Sequence, residues 1–132
     1  MKKIVLSACV ACALALAGCR STDKVYVGDT APPYRWVQTD RDLSAFAKVV
    51  SARRDRQNDL LRVQVELKNT RRREERIVYR FVWLDEKGFE INSIQNEWQP
   101  RILGGYETVQ LVGIAPSPQA TDCIVKIQES VR

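Results

Sequence analysis

Without a single histidine in its 132 residues, the chain lacks Ser-His and Cys-His nucleophile arrangements and the usual imidazole acid and base. The nearest thing to a Ser-Lys nucleophile is "SAFAK", Ser44 to Lys48, one residue too long for an S-x-x-K helical turn. Two carboxylate pairs remain, Asp85 with Glu86 and Asp55 with Asp59. Both are expected at hairpin turns, where solvated charge is ordinary, so the sequence predicts no enzyme. Nor does it predict a metal or a cofactor. Gly104-Gly105 falls between strand-like segments and opens no helix, so no phosphate loop is indicated.

Arginine offers a different chemistry, since its planar fork binds carboxylate and phosphate in bidentate fashion. Arg71, Arg72, Arg73 and Arg76 form one cluster, and Arg53, Arg54 and Arg56 another. Two readings stand side by side: charged hairpin tips partly paired with Asp55, Asp59, Glu74 and Glu75, or a tip that meets an anionic envelope component or an acidic protein. The strand between the clusters is expected to hold them roughly 30 Å apart, at opposite ends of the domain, which argues against one continuous nucleic-acid surface. Among the aromatics, Tyr79, Phe81 and Trp83 alternate on one face and are expected to fill a core. Trp98, in the irregular "NEWQP", is either a lid on that core or an exposed contact anchor. Trp36 is expected to pack where the chain enters the sheet. Arg71, Arg72, Arg73 and Trp98 are therefore the candidate binding residues.

Covalent chemistry is indicated at one position. Lys2 and Lys3 precede an apolar and small-residue run from Ile4 to Ala17, and Leu16-Ala17-Gly18 leads directly into Cys19. This is the pattern of a bacterial secretion signal, too short to span a membrane comfortably. A cysteine directly after Leu-Ala-Gly matches a lipobox, so Cys19 is predicted to be acylated after cleavage of residues 1–18. Two or three acyl chains hold a protein at a bilayer for practical purposes permanently. Arg20 follows where an aspartate would signal inner-membrane retention, so the expected location is the outer membrane, facing the periplasm.

That processing removes Cys9 and Cys12 and commits Cys19 to lipid, leaving Cys123 of the 4 cysteines. In "DCIVKI" it reads as a buried, unreactive small hydrophobe. Cleavage also removes Lys2 and Lys3 from a net charge of +5, leaving a mild positive balance. Residues 19–33 form a polar tether ending in Pro32-Pro33, reaching at most about 50 Å when extended and nearer 20 Å as a coil. Residues 34–132 are one domain's length.

The elements that must position these groups are strands. "LLRVQVELKN" alternates Leu61, Val63, Val65 and Leu67 with Arg62, Gln64, Glu66 and Lys68, a strand with one wet face. "FAKVVSARR" precedes it through "DRQND", which predicts a hairpin. "RIVYRFVWLD" is apolar on both faces except for Arg80, which predicts a central strand. "DEKG" predicts a turn with Gly88 at positive φ, and "FEI" a short returning strand. The pattern breaks from Asn92 to Pro100, then resumes in "YETVQLVGI" and "CIVKIQ" on either side of "APSPQATD". About seven strands and almost no helical periodicity predict an all-β, antiparallel, immunoglobulin-like two-sheet sandwich.

"VQVELKN" (63–69), "YRFVWLDEKGFEI" (79–91) and "APSPQATDCIVKI" (115–127), behind a lipobox, resemble the YcfL-like periplasmic lipoproteins, whose function is uncharacterised. The likeness runs over most of the domain from about Val37. It implies a small β-sandwich lipoprotein without known catalysis, encoded near a lipoprotein activator of peptidoglycan synthases. The expectation is a non-enzymatic envelope binding module attached by lipid on Cys19, its partner an envelope protein or anionic component. Two alternatives stand beside it: a subunit that packs through an edge strand, and, remotely, a carboxylate-based hydrolase.

Overall fold

The computed structural model describes residues 34–131. The expected signal (1–18) and the expected tether with Cys19 (19–33) lie outside the described residues. Eight strands form two sheets: β1 (Val37–Thr39), β2 (Ala47–Gln57), β3 (Leu60–Asn69), β4 (Glu75–Leu84), β5 (Glu90–Ile91), β6 (Gln99–Leu103), β7 (Thr108–Ile114) and β8 (Asp122–Glu129). One sheet runs β1-β8-β4-β5, with β6 also on β4; the other runs β2-β3-β7.

β3 shows the predicted alternation without exception through Leu67. Leu61, Val63, Val65 and Leu67 are buried and their neighbours are not, each burial contributing about 1.5–3 kcal/mol. β4 occupies the predicted centre of its sheet. Ile77, Phe81 and Trp83 enter the core, with the Phe81 and Trp83 rings stacked at 5.9 Å and 15°. Tyr79 meets Phe81 edge-on at 86° and is half-buried against that core. Trp36 also packs against it, near the chain's entry, as expected.

The Asp85 turn forms as predicted. Gly88 adopts φ 84, and the Asp85 side chain accepts from the backbone N–H groups of Lys87 and Phe89, both at 2.9 Å. The first hairpin also forms, but its turn is Asn58-Asp59, with φ of 51 and 62. β2 therefore continues through Asp55, Arg56 and Gln57, which the sequence reading placed in the turn.

Further expectations are corrected. β1 pairs with β8 in parallel, a three-residue contact too short to show periodicity. β6 carries Pro100 opposite Val78, tolerated because β6 lies at a sheet edge and needs no second ladder. The β7–β8 connection crosses between the sheets, because β7 pairs with β3 and β8 with β4. Ser44 ends a short helix, Arg41–Ser44, capped by Asp40.

A bulge in β2 decides which side chains of its second half face the opposite sheet. The register passes from Val49↔Leu67 to Ser51↔Glu66, so Val50 is the extra residue. Beyond it, Ala52, Arg54 and Arg56 share the inner side with Val65, Val63 and Leu61, while Arg53, Asp55 and Gln57 lie outside.

Candidate functional site

At the arginine-rich turn after β3, the guanidiniums find partners within the domain. Arg71 Nη1 lies 3.1 Å from Glu75 and Arg73 Nε 2.7 Å from the same carboxylate oxygen, which is buried. The hydrogen bond from Arg73, followed by that from Arg71, holds the Glu75 carboxyl below its usual range despite burial. Arg71 also lies over the Phe46 ring at 5.6 Å. Asn69, fully buried, ties this end together: its Nδ2 donates to the carbonyls of Arg73, Leu103 and Gly104, and its Oδ1 accepts from the Arg71 N–H. Gly105 sits so close that a Cβ there would stand 1.9 Å from the Arg72 carbonyl oxygen. Arg72 and Arg76 stay exposed.

The other arginine cluster is distributed along β2. Arg54 reaches across to Asp122 on the opposite sheet and lies 5.6 Å from the Trp36 ring centre. Arg56 donates to the carbonyls of Asp59 and Ala120. Outside, Asp55 accepts two bonds from Arg62, which lower its pKa and raise that of Arg62; Arg53 lies 3.9 Å from Glu66. A depression of about 330 Å³ lined by Arg53, Arg54, Asp55, Arg62 and Gln64 thus has its positive charges matched by carboxylates. One carboxylate of each pair singled out in the sequence has a turn or ion-pair role: Asp85 organises its turn and Asp55 holds Arg62. Among the described residues no three Cys, Asp or Glu side chains gather at metal-binding distance.

A second region differs. The segment from β5 to β6 folds over the outer face of β4 through a 3₁₀ turn at Ile94–Asn96, capped by Ser93. It forms an open groove of about 690 Å³ lined by Arg80, Glu90, Asn92, Ser93, Ile94, Asn96, Glu97 and Trp98. Arg80 lies over Trp98 at 4.8 Å, within cation–π range. Its Nε is sealed from solvent without a partner, as is Asn96 Oδ1, while Asn96 Nδ2 donates to Glu90 and to the Ile91 carbonyl. Directly across the ladder from Arg80 stands Lys126 on β8. Neither cation makes an ion pair among the described residues.

Trp98 is 38% exposed. It neither plugs the core nor stands free, but shelves Arg80 on the outer face. The sequence reading named Trp98 and missed Lys126. The available signal was that Arg80 and Lys126 each interrupt an apolar run, Ile77–Leu84 and Cys123–Ile127; only the β4–β8 register shows them to be opposite one another. Cys123 is buried, and desolvation, then Asp122, pushes its thiol up to about 12, which keeps it protonated and inert at neutral pH.

Fold and groove together define a small two-sheet domain with a polar surface site laid on one central strand. The chain belongs to the DUF1425 family, described as a protein of unknown function, which matches residues 35–129. A crystal structure of a DUF1425 family member from Shewanella sp. PV-4 shares the fold at TM-score 0.59 and 20% identity, covering 65% of this chain and 80% of that one. Campylobacter jejuni cj0090 superposes at TM-score 0.62 and 21% identity, covering 74% of this chain and 100% of its own. No curated protein matches.

Proposed function

We propose that this DUF1425 protein is a YcfL-like, lipid-anchored, non-enzymatic binding module of the bacterial envelope, fixed by acyl chains on Cys19 to the periplasmic face of the outer membrane. In this reading the Arg80–Trp98 groove meets an envelope protein or anionic component, in a process connected with peptidoglycan assembly. The observation that carries it is the groove: a half-exposed tryptophan, an unpaired guanidinium and amide side chains converge on a surface whose other arginine clusters are largely held by carboxylates or carbonyls. Arg71 and Arg73 already hold Glu75, so the contact role rests on Trp98, with Arg72 as an outlying contributor.

Two measurements test the reading. Palmitate labelling and membrane sedimentation of the full chain should both be lost in Cys19→Ser; retention of either removes the anchor. Crosslinking from intact envelopes should give a defined partner that Trp98→Ala loses while its circular dichroism spectrum is unchanged. A partner retained undiminished by that variant removes the groove from the reading.

One observation favours the edge-strand alternative. In the β3–β7 ladder, Asn69 N–H donates to the Glu107 carbonyl and Ala115 N–H to the Leu61 carbonyl, so odd-numbered β7 residues face β3 and even-numbered ones face away. The N–H and C=O groups of Thr108, Gln110 and Val112 therefore line an uncharged edge with no backbone partner among the described residues, a template for another strand. Concentration-dependent self-association of the full chain, abolished by Val112→Lys, supports assembly through β7; a monomer at all concentrations removes it.

A further inference from the structure

We propose that the Arg80–Lys126 pair forms a binding site for a single, singly charged oxyanion, a carboxylate or phosphodiester, carried on an otherwise uncharged polar body. The proposal rests on the groove being a binding surface, of which Arg80 is a lining residue and Lys126 the neighbour across the ladder on β8, and specifies the chemistry it takes.

The first support is electrostatic. Arg80 and Lys126 are direct cross-strand partners on the outer face, where Cβ atoms stand about 5 Å apart. Like charges so placed destabilise a sheet, and here no carboxylate within ion-pair distance offsets them among the described residues. Every other cross-strand neighbour of this pair is uncharged: Gln38 lies beside Lys126 on β1, with Val78 and Gln128 in the next row. One oxyanion between the two cations converts the repulsion into two charge-assisted contacts.

The second support is geometric. Trp98 lies against the guanidinium face, so the fork is held in one plane by stacking and its donors remain in that plane. Arg80 Nε and Asn96 Oδ1 are sealed from solvent and have no partner among the described residues, so no other group of the domain competes for this guanidinium.

The rim sets the selectivity. Glu90 and Glu97 line the same groove and repel a second negative charge. Polyanions are therefore disfavoured, which separates this site from a general phosphate or nucleic-acid patch.

The test follows amide signals of the full chain in detergent by NMR during titration with dimethyl phosphate or N-acetylalanine, and with vesicles of phosphatidylglycerol against phosphatidylcholine. Saturable shifts at residues 80, 98 and 126 with the soluble probes, weakened roughly tenfold by Lys126→Gln, assign a soluble ligand. Shifts from phosphatidylglycerol vesicles alone, lost in the same variant, assign the same chemistry to a lipid headgroup. No saturable shift from any probe, or equal shifts in Lys126→Gln, overturns the proposal. In the absence of anion, Lys126→Gln should raise the melting temperature by roughly 2–5 °C; a fall shows that the pair is not repulsive and also overturns it. A partner captured through Trp98 with no anion response leaves the groove standing and removes only the oxyanion.

Discussion

The turn after β3 and the groove over β4 both hold arginine beside an aromatic ring, yet they differ in what completes the charge. Arg71 lies over Phe46 and also reaches buried Glu75; Arg80 lies over Trp98 and reaches no carboxylate among the described residues. One arrangement is closed and holds the domain's end together. The other is open. The density of arginines along a chain therefore says less about binding than the count of charges left unmatched after folding, because a paired guanidinium has already given its donors to a structural partner.

Perturbing the closed end should have the largest effect. Gly105→Ala forces a methyl group into the Arg72 carbonyl and parts the two turns that Asn69 joins, costing about 3 kcal/mol or more in urea unfolding. Glu75→Gln keeps the side chain's shape but leaves two guanidiniums without their anion, a loss of about 1–2 kcal/mol. This second effect depends on pH. Because the folded Glu75 carboxyl is held below its unfolded value, its contribution is complete above the ordinary carboxylate range, about pH 4–5, and is lost as pH falls through the folded value. Wild type and Glu75→Gln should accordingly converge in stability on acidification; a gap that stays constant to low pH would show that the charge is not what matters.

Effects at the open site should be smaller for stability and larger for contact. Trp98→Ala removes the shelf under Arg80 and should lower the melting temperature by only a few degrees, on the order of 1 kcal/mol, while abolishing partner capture. Smallest of all, Asp55→Asn on the solvent face of β2 should leave thermal stability almost unchanged, since exposed pairs contribute little. A large loss there would narrow the contrast between closed and open regions.

Much of the fold was legible because burial imposes period two. β3 announced itself by alternation and β4 by apolar residues on both faces, and Gly88 marked its turn. The elements that escaped are those whose existence depends on distant partners. β1 is three residues laid in parallel on β8, and β6 contains a proline acceptable only at an edge. The end of β2 was misplaced for a related reason: turn-like composition in "DRQND" suggested an early reversal at Asp55 and Arg56, whereas Asn58 and Asp59 alone make it. Of the candidate site, Trp98 was legible as an aromatic outside any regular pattern. Lys126 was not, since its significance arises only when the β4–β8 register sets it opposite Arg80.

The extra residue at Val50 has a consequence for how the length of β2 can vary. Because the pairing passes from Val49↔Leu67 directly to Ser51↔Glu66, deleting Val50 would turn the bulge into regular ladder and leave Ala52, Arg54 and Arg56 on the sides they now hold. A one-residue deletion beyond Ala52 has no such slack, since either the residues between the bulge and the cut or those after it would have to change sides. Loss of Val50 should thus be tolerated far better than loss of a single residue at Arg53 or Asp55.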